Sequence, residues 1–530
     1  MKKIRILSLM LALLMLLTAC GSADPEAEET ISGWEPGEEL GIGEAADDVF
    51  SLNYNSSASL NPYATNDLDN LLIGQLVYEN IFELDDSYNL SSRVIAEYSN
   101  TGGTYWMFKI KEDIPMHDGS TLTAYDVAYS IQQAMRSSRY RGRFASVYGA
   151  GASSETDFAV SLAKPDMLFP YLLTIPIVKD GSVNESRPAG SGPYMHVADA
   201  DYVQAFADYG AEVPVERIYM KEYTDTESII TAFEDGYIDL VLNDTSSATN
   251  LGYGGNTETR WYTTTNMHYF GFNMSGELAA MPGVRYAIGL AVDRQYAAET
   301  LMQGDALPSA LPVSPTSPYY DESIASPIEF NLQLCAQVLA NAGLSDRDAD
   351  GMLEYLSYSV LHDVELDVIV CSQSAGKGDV CNRLAEDLES VGVKLNVIEL
   401  SWADYVSALN GTDLDADGEP DVHFDMYYAE VKLGADFDLT SLFSGSMNYG
   451  GIEDENYASY INAFLAAGDL ERPAALSNML TYIAQNAPII PVCFERHEVI
   501  TRRNVITGIE VTSSNVFYNI TEWKIRLTAD

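Results

Sequence analysis

Leu366 to Cys371 is a continuous apolar run, Val380 to Val391 repeats its apolar residues at helical spacing and stops at Gly392, and Val393 to Glu399 returns to a strand-like run. A strand, helix and strand at this spacing form a crossover unit, and crossovers of this length join parallel strands. Parallel strands are buried on both faces, so the chain must contain an α/β layer. Ser401 then opens another helix as N-cap, with Asp404 at its third position. Upstream, Tyr105 to Ile110 is β-branched and aromatic, which predicts a strand. Thr123 to Met135 predicts a helix with Thr123 as N-cap, Asp126 three residues on, and a buried stripe of Val127, Ile131 and Met135. Gly283 to Met302 predicts a second long helix, started after Pro282 and stopped near Gly304, with Arg285 and Asp293 orienting one face by charge pairs. At 530 residues and 47% hydrophobic, the chain can fill two or three such cores.

The N-terminus predicts export. Lys2, Lys3 and Arg5 precede an apolar stretch from Leu7 to Leu17, and Leu17-Thr18-Ala19-Cys20 is a small-residue cleavage pattern ending on cysteine. The pattern resembles a bacterial lipobox, with residues 1–19 as signal peptide and Cys20 carrying acyl chains such as palmitate. Residues 21–48 hold ten Asp or Glu and no Lys or Arg, the composition of a tether rather than a core. Export exposes Cys335, Cys371, Cys381 and Cys493 to oxidising conditions, where three full pairings are open. Cys371 follows a strand and Cys381 lies in a helix, so both also fit as buried thiols. With 78 acidic against 29 basic side chains the chain repels phosphate backbones, which excludes nucleic acid as a partner and leaves a weak bias toward cationic or amine-bearing ligands.

The common catalytic signatures are absent: there is no H-E-x-x-H, G-x-S-x-G, P-loop or C-x-x-C, and the six histidines are dispersed. Lone histidines of this kind are surface or satisfied core residues. A set of short motifs does recur in a recognisable order. S-L-N-P spans Ser59 to Pro62, L-V-Y-E-N-I-F spans Leu76 to Phe82, and F-K-I-K-E-D-I-P-M-H-D-G spans Phe108 to Gly119. T-L-T-A-Y-D-V-A-Y-S follows from Thr121, S-G-P-Y from Ser191, F-N-M from Phe272, V-R-Y-A-I-G-L-A-V-D-R from Val284 and A-P-I-I-P-V from Ala487. Taken singly these are turn and cap chemistry; Asp118-Gly119, for example, is a turn into a capped helix. In order and spacing, from about Ser51 to past Val505, they resemble the oligopeptide- and dipeptide-binding lipoproteins of ABC importers, the family 5 extracellular solute-binding proteins.

The resemblance implies an α/β, periplasmic-binding-protein-like fold of two hinged lobes with an inserted third domain. Domain I would comprise 49–70, 188–268 and 490–530, domain II 71–187, and domain III 269–489. It implies a monomer on the extracytoplasmic face of the cell membrane, held by its lipid anchor. There it captures a peptide and delivers it to the permease and ATPase subunits of an importer, with no cofactor required. Members of the family pair the peptide's α-amine with an acid in a G-x-A-D-Y-x-D-P-like segment. The matching stretch is Lys432-Leu433-Gly434-Ala435-Asp436-Phe437-Asp438-Leu439, where Leu433 replaces an aromatic and the final Pro is missing. Asp436, Leu433 and Phe144 are thus the candidate ligand-binding residues. A non-peptide solute (an oligosaccharide or metal chelate) on the same scaffold, and a surface peptidase, are the competing readings.

Two loops carry alternating acids. Asp346, Asp348, Asp350, Gly351 and Glu354 are expected to form a polar turn. Asp413, Asp415, Asp417, Gly418 and Asp421 have the carboxylates of a Ca²⁺ loop, but neither stretch has Glu at the twelfth position, so a structural Ca²⁺ competes with a solvated turn.

Overall fold

The computed structural model describes residues 49–243, 252–373, 376–412 and 422–527. The chain enters through β1 (Phe50–Asn53) and α1 (Leu68–Val77), then builds a small antiparallel module. Its strands are β2 (Ile95–Thr101), β3 (Tyr105–Ile110), β4 (Val147–Ala152) and β5 (Asp157–Leu162), in the order β2-β3-β5-β4, with α2 (Ala124–Ala134) on one face. In β3 alternate residues point inward, so Trp106, Phe108 and Ile110 are buried while Tyr105, Met107 and Lys109 face out. Phe108 stacks on Phe158 at 4.8 Å, and Val127, Ile131 and Phe169 complete this core. The cap of α2 is as expected: the Asp126 carboxylate accepts from Thr123 N and Oγ1, both at 2.8 Å.

The chain then supplies β6 (Tyr194–His196), β7 (Tyr202–Ala205), β8 (Arg217–Lys221), α3 (Thr226–Glu234), β9 (Leu240–Asn243) and the long β10 (Thr257–Phe272). After α4 (Pro282–Ala291) comes the predicted crossover unit: β11 (Glu365–Cys371), α5 (Lys377–Glu389) and β12 (Lys394–Leu400). It continues through α6 (Trp402–Leu409) to β13 (Met426–Lys432), and a final long strand, β14 (Ile489–Arg502), returns through the middle. One eleven-stranded sheet results, ordered β12-β11-β13-β10-β14-β9-β1-β8-β7-β6, with Ala306–Pro308 added alongside β14. β11 is parallel to β12 and β13, and β1 is parallel to β8 and β9. The antiparallel pair β10 and β14 runs from one parallel half into the other, with irregular register between Thr263 and Met267.

Separate cores fill the two halves. Phe50, Leu52, Val203, Ile218, Leu240 and Val499 belong to one, and Phe270, Val368, Leu384 and Ile490 to the other. A third core, with Met267, Tyr427, Phe437 and Phe464, lies with the opposite side-chain face of β10 and β13. Among the described residues no helix is long and apolar enough to cross a membrane.

Two expectations are corrected. The helix from Gly283 does not run to Met302: α4 ends at Ala291, and the Asp293 side chain caps a new short helix by accepting from Tyr296 N. The break lets the Arg294 guanidinium donate to the carbonyls of Pro491, Gly289 and Ile328. The expected charge pair is present for Asp293, which lies 3.8 Å from Arg383, but not for Arg285. It is buried and donates to the carbonyls of Ala279, Asn486 and Ala487, the last two at the end of the helix Arg472–Asn486. All four described cysteines are free and buried, and burial pushes the Cys335 thiol up to about 12.

Candidate functional site

In an open α/β sheet, ligands bind outside the carboxyl ends of the strands where the chain's winding reverses. Here the reversal falls between β11 and β13, because α5 leads from β11 to β12 on one side and α6 returns the chain to β13 on the other. The strand ends there are Cys371 and Lys432. The second parallel half reverses around β1, whose carboxyl end is Asn53.

The segment after β13 leaves the sheet with Leu433 N donating to Thr265 O at 3.0 Å and turns where Phe437 N meets Gly434 O. Glycine at 434 leaves room for the acid: a Cβ there would stand 2.3 Å from Asp436 Oδ1 and 3.1 Å from Leu172 Cδ2 of the small module, and the carboxylate would have to shift. The turn drives Asp436 inward until it is only 3% exposed. Its carboxylate accepts from the Asp438 amide at 3.3 Å. Burial, then the charges of Asp166 and Asp438, hold the Asp436 carboxyl well above the usual carboxylate range. Asp166 comes from the small module and is also buried; burial and Asp438 raise its carboxyl against the amide of Leu168 and the cations Lys164 and Arg472. Lys164 Nζ reaches across to Asp438 Oδ2 at 2.7 Å and Thr440 Oγ1 at 2.8 Å. Three carboxylates therefore gather where the small module meets the large lobe, with Lys164 bonded to Asp438, Arg472 acting on Asp166, and Arg143 within reach of the Asp436 charge. Tyr88 packs its ring against Phe437 at 5.7 Å beside them.

Of the other sequence candidates, Leu433 is buried in the core with Tyr427 and Phe437, and Phe144 in the core of the small module. Neither side chain faces solvent. Arg143, next to Phe144, is half-buried and donates to Thr174 O and Oγ1 at 3.2 and 3.1 Å.

A second ionisable cluster lies on the adjoining strands and was invisible in the sequence. His268 on β10 is 1% exposed, and its Nε2 lies 2.6 Å from Glu495 Oε1 on β14. His268 Nδ1 lies 3.2 Å from the Tyr428 hydroxyl, and Asn266 donates to Glu495 Oε2 at 2.9 Å. Glu430 on β13, directly opposite His268, accepts from Lys377 Nζ at 3.0 Å. His268, Glu430 and Glu495 offer atoms within 4.8 Å of one another. Lys432, two residues along β13, keeps part of its side chain in water, while the protein around its ammonium, then Arg139 and Arg143, bring that group down to about 8.

Asp346, Asp348 and Asp350 form the expected turn, accepting from the amides of Ala349, Gly351, Asp350 and Met352, and Glu354 accepts from Arg347 N. Cys20 and the loop acids Asp413, Asp415, Asp417 and Asp421 lie outside the described residues.

Residues 90–447 match the model for bacterial extracellular solute-binding proteins, family 5 Middle. The oligopeptide-binding protein AppA of Bacillus subtilis (strain 168) is 23% identical over 98% of this chain and 97% of its own. Its structure in complex with a nonapeptide superposes with a TM-score of 0.60 at 19% identity, covering 92% of this chain and all of that one. A putative peptide binding protein AppA from Clostridium difficile gives 0.71 at 15% identity, covering 90% of this chain and all of that one. NikZ from Campylobacter jejuni in complex with Ni(L-His) gives 0.62 at 19% identity over 91% of this chain and 99% of its own.

Proposed function

The chain belongs to the bacterial extracellular solute-binding proteins of family 5, and from that premise we propose that its solute is a peptide, held by its free α-ammonium at Asp436 and handed to an ABC importer. The carrying observation is the excess of carboxylate at the meeting of the two modules: Asp166, Asp436 and Asp438 with Lys164 as the bonded cation. A peptide ammonium brings the charge that such a group favours, and burying that ammonium unpaired would cost several kcal/mol. On its arrival Asp436 ionises and forms a short charge-assisted hydrogen bond. The full-length relationship to a protein named for binding oligopeptides supports the same ligand class.

A metal chelate has weaker support. His268, Glu430 and Glu495 approach one another as ligands do, yet each is already engaged by Glu495, Lys377 or His268. The protein works outside the cytoplasm, as its family does, and acylation at Cys20 is the attachment we assign it. If a Cys20→Ser form is processed and stays on membranes through a high-salt wash as the parent does, that attachment is wrong.

The peptide reading is tested by calorimetry on four combinations: parent or Asp436→Asn, with a free-amine peptide or its N-acetyl form. Asn keeps the shape and removes the charge, so free-amine affinity is expected to fall by about 3 kcal/mol, while the acetylated peptide binds the parent poorly and loses little more in the variant. Simple additivity of the two changes would show that Asp436 does not hold the amine.

A further inference from the structure

A separate cavity of about 190 Å³ lies against the other face of the β10–β14 ribbon. Along β14 the side chains alternate: Cys493 and Glu495 share the face of His268, whereas Phe494 and Arg496 turn toward the core that holds Met267 and Tyr427. From that second face Arg496 and Trp261 line the cavity. The hairpin around Glu83–Leu84 and Leu90–Ser91 adds Leu84, Asp86 and Tyr88, and the strand Ala306–Pro308 adds Leu307. Asp436, Asp166, Asp438 and Lys164 do not line it, and Tyr88, whose ring packs against Phe437, stands between it and the Asp436 turn. The two charged walls are both incompletely bonded. Arg496 is half-buried, with its guanidinium carbon 5.4 Å from the Trp261 ring and Nη2 donating to the Gly304 carbonyl. Its Nε is buried and has no hydrogen-bond partner among the described residues, a group that folding leaves unanswered unless something else accepts from it. Its charge reaches Glu498, but that carboxylate already accepts from Asn243 at 2.7 Å. Asp86 is exposed and accepts no hydrogen bond among the described residues, while Asp85 beside it is tied to Asn89 and Ser87. Partial burial, then Asp85 and Glu510, raise the Asp86 carboxyl, so a cation there would be welcome.

We propose that this cavity is a second binding site, for a free α-amino acid with an aliphatic side chain, whose carboxylate lies on Arg496 and whose ammonium lies toward Asp86. An α-amino acid carries both charges on one carbon, and it brings an acceptor for Nε and a cation for the unbonded carboxylate at once. Its side chain then meets Leu84, Leu307 and the rings of Trp261 and Tyr88. Size points the same way. A void of about 150 Å³ takes a benzene, so one of about 190 Å³ takes a molecule near the size of leucine. An extended tripeptide, at about 10 Å, is too long for it. The site is independent of the peptide reading, because it lies on the opposite face of the ribbon and uses none of the acids around Asp436.

The experiment is calorimetry on the whole mature chain with L-leucine, L-leucinamide and N-acetyl-L-leucine, and with trialanine as the peptide. L-Leucine is expected to bind at one site, and removal of its carboxylate charge or of its ammonium should each weaken binding about tenfold or more. Asp86→Asn, at an exposed position that keeps folding out of the comparison, should weaken L-leucine about fivefold or more and leave trialanine unchanged. Arg496→Gln, checked for an unaltered melting curve, should erase the preference for L-leucine over its amide. Asp436→Asn should leave L-leucine within about twofold of the parent. Absence of saturable L-leucine binding overturns the proposal, as does equal affinity for L-leucine and its amide. If Asp436→Asn abolishes L-leucine binding and Asp86→Asn does not, the amino acid sits in the peptide site, and the second site is overturned while the peptide reading stands. Loss of trialanine in Asp436→Asn with L-leucine unaffected supports both sites, and retention of trialanine there sinks the peptide reading alone.

Discussion

Asp436 and Glu495 are both buried near the end of β13, yet their carboxyls are driven in opposite directions. Burial raises the Asp436 carboxyl, and Asp166 and Asp438 raise it further. Burial acts the same way on Glu495, but the hydrogen bond from His268, its charge, the Asn266 amide and His497 outweigh it and hold Glu495 well below the usual carboxylate range. What differs is the number of opposite partners. Two glutamates on the strands flanking β10 are answered by an imidazole, a lysine and an amide, whereas three aspartates have one bonded lysine, with Arg472 and Arg143 acting on them through charge alone. A satisfied cluster ties β10, β13 and β14 together; an under-compensated one stores affinity for a cation. Depth alone therefore does not set the direction in which a buried carboxyl is driven.

The largest effect that tests this contrast is on stability. Glu495→Gln leaves His268 in a buried site without its anion, and urea unfolding should show a loss of about 3–5 kcal/mol. Asp436→Asn in the same assay should show no loss, since it removes a group that the fold already disfavours as an anion. Losses of similar size in both variants would erase the distinction.

A smaller effect concerns pH. Asp166 holds its proton to a higher pH in the folded chain than in the unfolded one, so its contribution to stability is greatest in acid and declines as pH rises from about 4 through its raised folded value. Asp166→Asn should therefore match the parent's melting temperature near pH 4 and exceed it near pH 8, by the equivalent of about 1–2 kcal/mol. Glu495 has the opposite sign: its contribution is complete above about pH 4.5 and is lost only as pH falls toward its depressed folded value. An Asp166→Asn advantage that is flat with pH would mean that the carboxyl is not raised.

The smallest effect is expected for Asp436→Asn at pH 8, a gain within about 1 kcal/mol in the ligand-free protein, visible as a slight rise in melting temperature. A fall there would place Asp436 with Glu495, as a structural acid.

Much of the scaffold was legible in the residues. The crossover unit at β11, α5 and β12 and the caps at Thr123 and Ser401 came through because each depends on side chains within a turn or two of one another. The helix after Pro282 was overextended because nothing local marks its break. That break follows from burying Arg294, whose carbonyl partners include Pro491 on a distant strand. Asp436 was picked out by family resemblance and lies at the module boundary, but Asp166, whose charge acts on it, and Lys164, which is bonded to Asp438, carry no motif. His268 was one dispersed histidine among six, and its partner Glu495 lies 227 residues away.

The sequence by itself determined an α/β chain, the family resemblance, the crossover unit of the large lobe, and one acid to examine. Only the tertiary structure decided that acid's surroundings. Periodicity and capping are short-range, so they can be read along the chain. The ionisation of a carboxylate depends on how much water is removed and which charges remain nearby, and here the answering ammonium of Lys164 arrives from 274 residues upstream of Asp438.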